Sequence, residues 1–173
     1  NKQVSVSEVT LVNITIIGGG NIGTLMAAEA ADKGHAVTVC TSKPDLWKKE
    51  IEVYNSDDNL LISTQISKIT SSMKDAVSGA DHIWVTVPGE AFMDAAARML
   101  PYATKRQKIG IIPGFGGAEF AFKKFIDKGC ILYGFQRVHS IARLKEYGKA
   151  VYQLGRKHKI EIGSIPASNV SDI

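Results

Sequence analysis

The stretch ITIIGGGNIG, residues 14–23, decides the fold of this chain. An apolar, β-branched run leads directly into three glycines with the spacing G-x-G-x-x-G. Gly18 permits a tight turn off a strand, Gly20 lets an anion approach the bare backbone, and Gly23 lets a helix pack closely on the strand. The free N–H groups at the start of that helix then face the anion. The cofactor contacts predicted in this turn are Gly18, Gly20, Asn21, Ile22 and Gly23.

The residues around the glycines complete a βαβ unit. The run TLMAAEAA at residues 24–31 is rich in helix formers, and Gly34 stands where a helix commonly ends on glycine. The run AVTVCT at residues 36–41 then predicts a second strand. This context favours a dinucleotide site over a tight structural turn that binds nothing.

The end of the second strand bears on cofactor choice. An NAD site usually places Asp or Glu here to bind the ribose 2′-OH, and positions 40–43 carry none. The chain offers the hydroxyls of Thr41 and Ser42 and the cation of Lys43, which suit a 2′-phosphate. We therefore predict NADP(H) in preference to NAD(H). The same stretch also fits a helix start, with Ser42 as N-cap and Pro44 in the first turn, and both interpretations hold together.

The remaining pattern predicts an α/β fold of the Rossmann type, a doubly wound, mainly parallel sheet with antiparallel strands near the C-terminus. Helices are predicted at 45–51, 73–78, 91–100 and 118–127, an irregular segment at 53–62, and strands at 67–70, 82–87, 108–112 and 130–135. A hairpin at 140–145 and 150–154 and a strand at 159–162 follow.

Two further turns are predicted at the ligand-binding edge of this sheet. Val87, Pro88 and Gly89 follow a strand, and ligands of open α/β sheets bind beyond the carboxyl ends of strands. The run PGFGG at residues 113–117 is a second glycine-rich strand-to-helix turn. Its backbone at Gly116 and Gly117 suits the nicotinamide end or a substrate carboxylate, and the alternative is a close-packed turn without a ligand.

Composition restricts the class of protein. The chain has 173 residues, enough for one dinucleotide-binding domain over residues 1–173 with a sizeable core. No apolar run approaches 18 residues, residues 1–8 lack the apolar region of a signal peptide, and no Cys/His cluster has metal-ligand spacing. Cys40 and Cys130 are expected to be buried free thiols, which suits the cytoplasm. The net charge of +4 is dispersed, so a nucleic acid is not an expected partner, and the lack of an apolar span means that a membrane is not expected either.

The motifs together resemble the opine (octopine/nopaline) dehydrogenase family, relatives of ketopantoate reductase and glycerol-3-phosphate dehydrogenase. The resemblance rests on ITIIGGGNIG, GHAVTVCTSKP, VTVPGEAFMDAAARMLP, IIPGFGGAEFAF and RLKEYGKAVYQLGRKHKIEIGSIPAS. It covers residues 12–168, nearly the whole chain. The glycine motif is shared by many dehydrogenases, and its combination with PGFGG and R-x-x-x-YG-x-x-V-x-x-LG is more specific.

The resemblance implies an NAD(P)-dependent oxidoreductase that transfers hydride to an imine of an α-keto acid and an amino acid. The implied partners are therefore a small-molecule keto acid and an amine, with a homodimer as one possible assembly. Family members carry their catalytic His, paired with an acidic residue, on a second, all-helical substrate domain. No part of this chain matches that domain, so we predict a longer enzyme and no catalytic residue in this chain.

One segment departs from the family pattern. The family commonly carries E-T-x-P where this chain has Gln136, Arg137, Val138 and His139. Arg137 is suited to binding a carboxylate through two hydrogen bonds. His139 is a candidate proton donor, and the alternative is a surface or hydrogen-bonded histidine.

Two other functions remain open from the sequence. One is a ketopantoate reductase-like reduction of a 2-keto acid without an amine. The other is a non-catalytic NADP-binding sensor module, because half of an active site cannot catalyse a reaction. The length of the full protein distinguishes them, since an enzyme needs the helical remainder.

Overall fold

The computed structural model describes residues 10–173, so the prediction for residues 1–8 lies outside the described residues. The α-helices in this part are α1 (Asn21–Asp32), α2 (Met73–Val77), α3 (Phe92–Met99) and α4 (Ala118–Asp127). The strands before α3 are β1 (Asn13–Ile17), β2 (Ala36–Cys40), β3 (Glu50–Tyr54), β4 (Leu60–Gln65), β5 (Lys68–Thr70) and β6 (His82–Val85). The later strands are β7 (Lys108–Ile111), β8 (Ile131–Phe135), β9 (Ser140–Glu146), β10 (Ala150–Arg156) and β11 (Ile162–Ile165).

The main sheet has seven strands in the order β11-β8-β7-β6-β1-β2-β5. Its six neighbouring strands from β8 to β5 are parallel, and β11 pairs antiparallel with β8. The predicted Rossmann-type architecture with an antiparallel element near the C-terminus is therefore confirmed. Because all parallel strands point the same way, the turns after β1, β2, β6 and β7 meet at one edge of the sheet.

Both faces of the main sheet are covered, as a parallel sheet requires. One apolar cluster joins the sheet to α2, α3 and α4, with Phe122 and Phe125 at most 1% exposed. The other joins it to α1 and the second sheet. Thr15 shows how a polar side chain is accommodated between the layers: its buried hydroxyl donates to the Ala76 carbonyl of α2 at 2.6 Å.

A second sheet occupies the position where the sequence pattern predicts a helix and an irregular segment. It has the strand order β4-β3-β10-β9, so the predictions for residues 45–51 and 53–62 are wrong. Only a single 3-10 turn, Pro44–Leu46, remains helical there. The reason is the period of two in β3: Ile51 and Val53 are fully buried and alternate with Glu50 and Glu52.

The predicted C-terminal hairpin forms, and it belongs to this second sheet. β9 and β10 pair antiparallel, and β10 also pairs in parallel with β3, which lies about a hundred residues earlier in the chain. The strand predicted at 159–162 lies three residues further on, as β11. Within residues 10–173, no helix is both long and apolar enough to cross a lipid bilayer.

Candidate functional site: a cleft at the glycine turn

The glycine turn has the geometry that its spacing predicts. Gly18 ends β1 with a φ of +117°, a conformation that favours glycine, and its N–H donates to the Cys40 carbonyl at 3.0 Å. A Cβ on Gly23 would lie 2.0 Å from the Gly18 carbonyl oxygen and 2.7 Å from Thr86 Oγ1. Gly23 therefore allows α1 to pack against β1 and β6, as expected for the third glycine.

Gly20 differs from the other two glycines of the motif, Gly18 and Gly23, because a Cβ there would meet no atom within 4 Å. It is the N-cap of α1 in extended conformation, and no side chain caps the first turn of the helix. The helix therefore begins with free N–H groups beside open space, which is the arrangement that binds an anion. This cradle fits the diphosphate of a dinucleotide.

A cleft of about 590 Å³ opens from this turn. Its volume is in the range of sites that bind small molecules and cofactors. The lining residues come from β1 and α1, from the ends of β2 and β5, from β6 and α3, and from the hairpin of the second sheet. They are Ile17, Gly18, Gly19, Gly20, Asn21, Ile22, Cys40, Thr41, Ser42, Ser71, Met73, Thr86, Val87, Pro88, Ala91, Asp94, Ala95, Arg98 and Tyr147.

The cleft brings together most of the predicted cofactor residues. Of these, Gly23 lies behind the cleft as a packing position, and Lys43 and Gly89 are exposed outside its lining. Ser42 is exposed at the cleft. The single 3-10 turn that follows starts at Pro44, its N-cap position is Lys43, and no side chain caps it. The interpretation of Ser42 as a helix N-cap is therefore wrong, because the chain forms no α-helix here.

Tyr147 is a cleft residue that the residue-by-residue analysis missed. Its hydroxyl lies 2.8 Å from the hydroxyl of Thr41, and its ring meets Trp47 edge-on with ring centres 6.1 Å apart. Gly148 allows this approach, because a Cβ there would lie 2.6 Å from the Leu46 carbonyl oxygen. The motif R-x-x-x-YG was the one sequence signal for this residue.

The hairpin that carries Tyr147 is fastened to the glycine turn itself. The side-chain oxygen of Asn21 accepts a hydrogen bond from the Leu144 N–H of β9 at 2.8 Å. Asn21 thus lines the cleft and also joins the second sheet to the start of α1. On the other wall, the Thr86 hydroxyl donates to the Ile17 carbonyl at 3.1 Å and holds β6 against the turn.

α3 and its N-cap residue, Ala91, supply further lining residues that were not predicted. Ala91, Asp94, Ala95 and Arg98 follow the i, i+3, i+4, i+7 spacing of one helix face, which is the signal that could have identified them. Burial raises the pKa of the Cys40 thiol at the end of β2, and the positive charge of Arg98 opposes that rise. Cys40 is thus held as a neutral thiol on the cleft floor.

The second glycine turn lies at the same edge of the sheet but outside the cleft lining. Gly117, with a φ of +92°, precedes α4, and its N–H donates to the Glu119 carboxylate at 3.0 Å. Gly116 is exposed, and Phe115 packs on Phe92 at the start of α3 with ring centres 6.0 Å apart. A substrate carboxylate at Gly117 would have to displace the Glu119 side chain.

The structure separates the other two predicted substrate residues from the cleft. Arg137 is exposed between β8 and β9. His139 lines a second cavity of about 340 Å³, and its Nε2 lies 2.5 Å from the Glu29 carboxylate. Glu29 also accepts from the Gln153 side chain at 2.9 Å. His139 is therefore placed as a hydrogen-bonded histidine that joins the second sheet to α1.

Comparisons with known proteins agree with this geometry. A family model described as the NAD-dependent glycerol-3-phosphate dehydrogenase N-terminus matches residues 13–128. The chain is 36% identical to glycerol-3-phosphate dehydrogenase [NAD(P)+] of Bacillus subtilis over 54% of its own length and 28% of that enzyme. It is 25% identical to tauropine dehydrogenase of Arabella iricolor over 93% of this chain and 44% of that enzyme.

Solved structures extend the match to the C-terminal strands. Octopine dehydrogenase with NADH and L-arginine superposes with a TM-score of 0.80 at 27% identity, over 88% of this chain and 42% of that enzyme. A ketopantoate reductase from Ralstonia eutropha shares the fold, with a TM-score of 0.70 at 16% identity, over 92% of this chain and 52% of that one. The resemblance to opine dehydrogenases and their relatives is thus confirmed.

The chain spans less than half of the length of its curated relatives. The described part contains the cleft, the open glycine turn and a fold shared with NAD(P)-dependent dehydrogenases. The chain belongs to the NAD-dependent glycerol-3-phosphate dehydrogenase N-terminal family and is an NAD(P)-dependent dehydrogenase domain.

Proposed function

We propose that this chain is the cofactor domain of an opine dehydrogenase-like oxidoreductase, which transfers hydride to an imine formed from an α-keto acid and an amino acid. The observation that carries the proposal is the glycine turn. Gly20 leaves open space in front of the free N–H groups of α1, and Gly23 lets α1 approach β1.

The residues present fit a dinucleotide along the cleft. The N–H groups of Gly20, Asn21 and Ile22 are suited to the diphosphate, since the positive end of the helix dipole lies there. Thr41, Ser42 and Tyr147 are suited to the adenosine ribose at the end of β2.

When bound, the nicotinamide cofactor supplies the hydride, and the protein positions and shields it. Ile17, Val87 and Pro88 form an apolar wall of the cleft that suits this role. Proton transfer to the substrate is assigned to the all-helical domain that we propose for the longer protein. Gly116, Gly117 and Arg137 stay candidates for binding a substrate carboxylate at the domain boundary.

We propose NADP(H) as the preferred cofactor. β2 ends without a carboxylate among residues 40–43, so nothing there repels a 2′-phosphate. Ser42 offers an exposed hydroxyl at the cleft, with the cation of Lys43 next to it in the chain. Titration of the protein with NADPH and NADH tests this, and a clear preference for NADH would contradict it.

The amine is the feature that separates the proposed reaction from its alternatives. Octopine dehydrogenase has been solved with NADH and pyruvate and with NADH and L-arginine, and tauropine dehydrogenase matches 93% of this chain. A second candidate, the oxidation of glycerol 3-phosphate, is favoured by the family model over residues 13–128. The opine proposal has the stronger support because tauropine dehydrogenase and octopine dehydrogenase match 93% and 88% of this chain, whereas the family model ends at residue 128.

The experiment is NADPH oxidation by the full-length protein over a grid of keto acids and amino acids, with dihydroxyacetone phosphate as a separate arm. Turnover that needs both a keto acid and an amine supports the proposal. Turnover of a keto acid alone indicates a ketopantoate reductase-like enzyme, and turnover of dihydroxyacetone phosphate indicates the second candidate. Binding of NADPH without turnover in any arm indicates a sensor module.

The cytoplasmic location and the homodimer stay predictions.

A further inference from the structure

The adenosine half of the cleft has a second wall that the cofactor motifs do not describe. The ribose end lies at Thr41, because the residues after the second strand meet the ribose in this fold. The Thr41 N–H donates to the Thr70 carbonyl at 2.9 Å, which brings the end of β5, and with it Ser71 and Met73, next to the ribose end. α3 closes the space from the opposite side.

The floor of this space is apolar and nearly closed to solvent. Cys40, Met73 and Ala95 are each at most 8% exposed and belong to one packed cluster. Ala91 and Ala95 have small side chains, so this face of α3 leaves room for a flat ring. A purine base is the part of a dinucleotide that suits such a slot, because most of its surface is apolar.

Two opposite charges stand on the same helix face above this floor. Arg98 Nη1 lies 3.6 Å from Asp94 Oδ2, one helical turn away, and both side chains are at least half exposed. Of the cleft-lining residues within 10–173, Arg98 is the one with a cationic side chain and Asp94 is the one with a carboxylate. The guanidinium lies close enough to Cys40 for its charge to act on the pKa of that thiol.

We propose that the Asp94–Arg98 pair recognises the adenine base of the cofactor. The Asp94 carboxylate accepts a hydrogen bond from the 6-amino group, and the Arg98 guanidinium packs on the face of the ring. The proposal rests on the proposed function, since it takes the cleft to be the dinucleotide site.

The pairing of the charges favours the base over the 2′-phosphate. A carboxylate 3.6 Å from the guanidinium repels a second anion, whereas a neutral ring with an amino group is complementary to both charges. The ordinary alternative is a solvated i, i+4 pair, which stabilises the helix only slightly and does not affect cofactor binding.

The test is a fluorescence titration of the full-length protein with NADH, NADPH and reduced nicotinamide hypoxanthine dinucleotide. Hypoxanthine has a carbonyl oxygen in place of the 6-amino group, so position 6 cannot donate to Asp94 and its oxygen would instead face the carboxylate. We expect wild-type protein to bind NADH about tenfold more tightly than the hypoxanthine analogue. D94N should lose most of this difference, because an amide also donates. R98A should weaken NADH and NADPH by the same factor, about fivefold or more.

The matched control is K123A, which removes an exposed cation from α4 outside the cleft and should bind all three nucleotides as wild type does. Unchanged NADH and NADPH affinity in R98A, or equal binding of the two bases by wild type, would overturn the proposal. A loss in R98A confined to NADPH would assign Arg98 to the phosphate and overturn it as well. If wild-type protein binds no nucleotide, the proposed function itself fails, which is a different result.

Discussion

The hydroxyl groups of Thr41 and Tyr147 lie 2.8 Å apart on the wall of the cleft, although 106 positions separate them in the chain. Thr41 directly follows strand β2 of the main sheet, and Tyr147 lies in the turn between β9 and β10 of the second sheet. The two sheets therefore meet at the wall of the cleft. The hydrogen bond from the Leu144 N–H to the Asn21 side chain makes a second such connection at the glycine turn.

Tyr147→Phe removes the hydroxyl and leaves the largely buried Thr41 side chain without this partner. We expect the free energy of unfolding to fall by about 1 kcal/mol, as for a single hydrogen bond. NADPH affinity should also fall, because the ribose wall loses a polar group. Denaturation and nucleotide titration measure the two effects. The control is Tyr152→Phe, which removes a hydroxyl that donates a hydrogen bond to the exposed Asp58. This variant should keep wild-type affinity.

Two glycines of the same motif are expected to respond differently to alanine. At Gly20 the new Cβ meets no atom and the backbone is extended, so Gly20→Ala should fold with wild-type stability. Its methyl group occupies the anion space, so NADPH affinity should fall about tenfold or more. A Gly20→Ala variant that binds NADPH normally would refute the diphosphate assignment.

Gly23→Ala is the counterpart, and its main effect should be on stability. The Cβ would lie 2.0 Å from the Gly18 carbonyl oxygen, so α1 or the turn has to move. We expect a loss of about 3 kcal/mol in the free energy of unfolding, measured by denaturant titration. Wild-type stability in this variant would show that the close packing of α1 on β1 is not required.

Ser42→Asp places a carboxylate where an NAD site usually has one. The new charge should repel a 2′-phosphate, so NADPH affinity falls by about tenfold or more while NADH affinity is kept or improved. Competitive titration with the two cofactors measures the ratio. Ser42→Asn is the neutral control of the same size and should change the ratio little. An unchanged ratio in Ser42→Asp would remove residue 42 from cofactor selection.

His82 predicts a pH dependence of stability that is unrelated to the cleft. Burial and the nearby charge of Lys108 lower its pKa from 6.5 to about 4, and its Nδ1 lies 3.4 Å from the Tyr133 hydroxyl. Between these pH values the unfolded chain binds a proton at His82 and the folded chain does not. The free energy of unfolding therefore decreases as the pH falls from 6.5 to about 4, and this contribution is constant below that.

The measurement is denaturation of wild type and His82→Asn at several pH values across this window. The variant should lose part of the slope, because the buried titrating group is gone. His158→Asn, at an exposed histidine in the segment after β10, is the matched control and should keep the slope. Equal slopes in all three proteins would exclude His82 as a source of the acid sensitivity.

Local patterns were enough for the parts of the fold that depend on neighbouring residues. The glycine spacing gave the turn after β1 and the start of α1, and α4 lies at the predicted residues 118–127. Strand β6 was also evident from its apolar run. These features follow from backbone conformation and hydrophobic period, which act over a few residues.

The residues between β2 and β5 show where such patterns fail. Strand β3 pairs with β4 on one edge, and on the other edge its residues 52–54 pair in parallel with β10, about a hundred positions further on. The alternation of buried and charged residues covers only residues 50–53, so pairing with both neighbouring strands is needed to select a strand over a short helix.

The amino-acid sequence by itself determined that a bare glycine turn joins a strand to a helix in a parallel α/β sheet, because those choices are made within a few residues. The tertiary structure decided which distant side chains share the cleft. It brought Tyr147 and Arg98 to the cleft and placed His139 beside Glu29 instead. The physical reason is that strand pairing and helix packing between remote segments determine which side chains become neighbours. The hydrophobic period of a short segment contains no information about those remote partners.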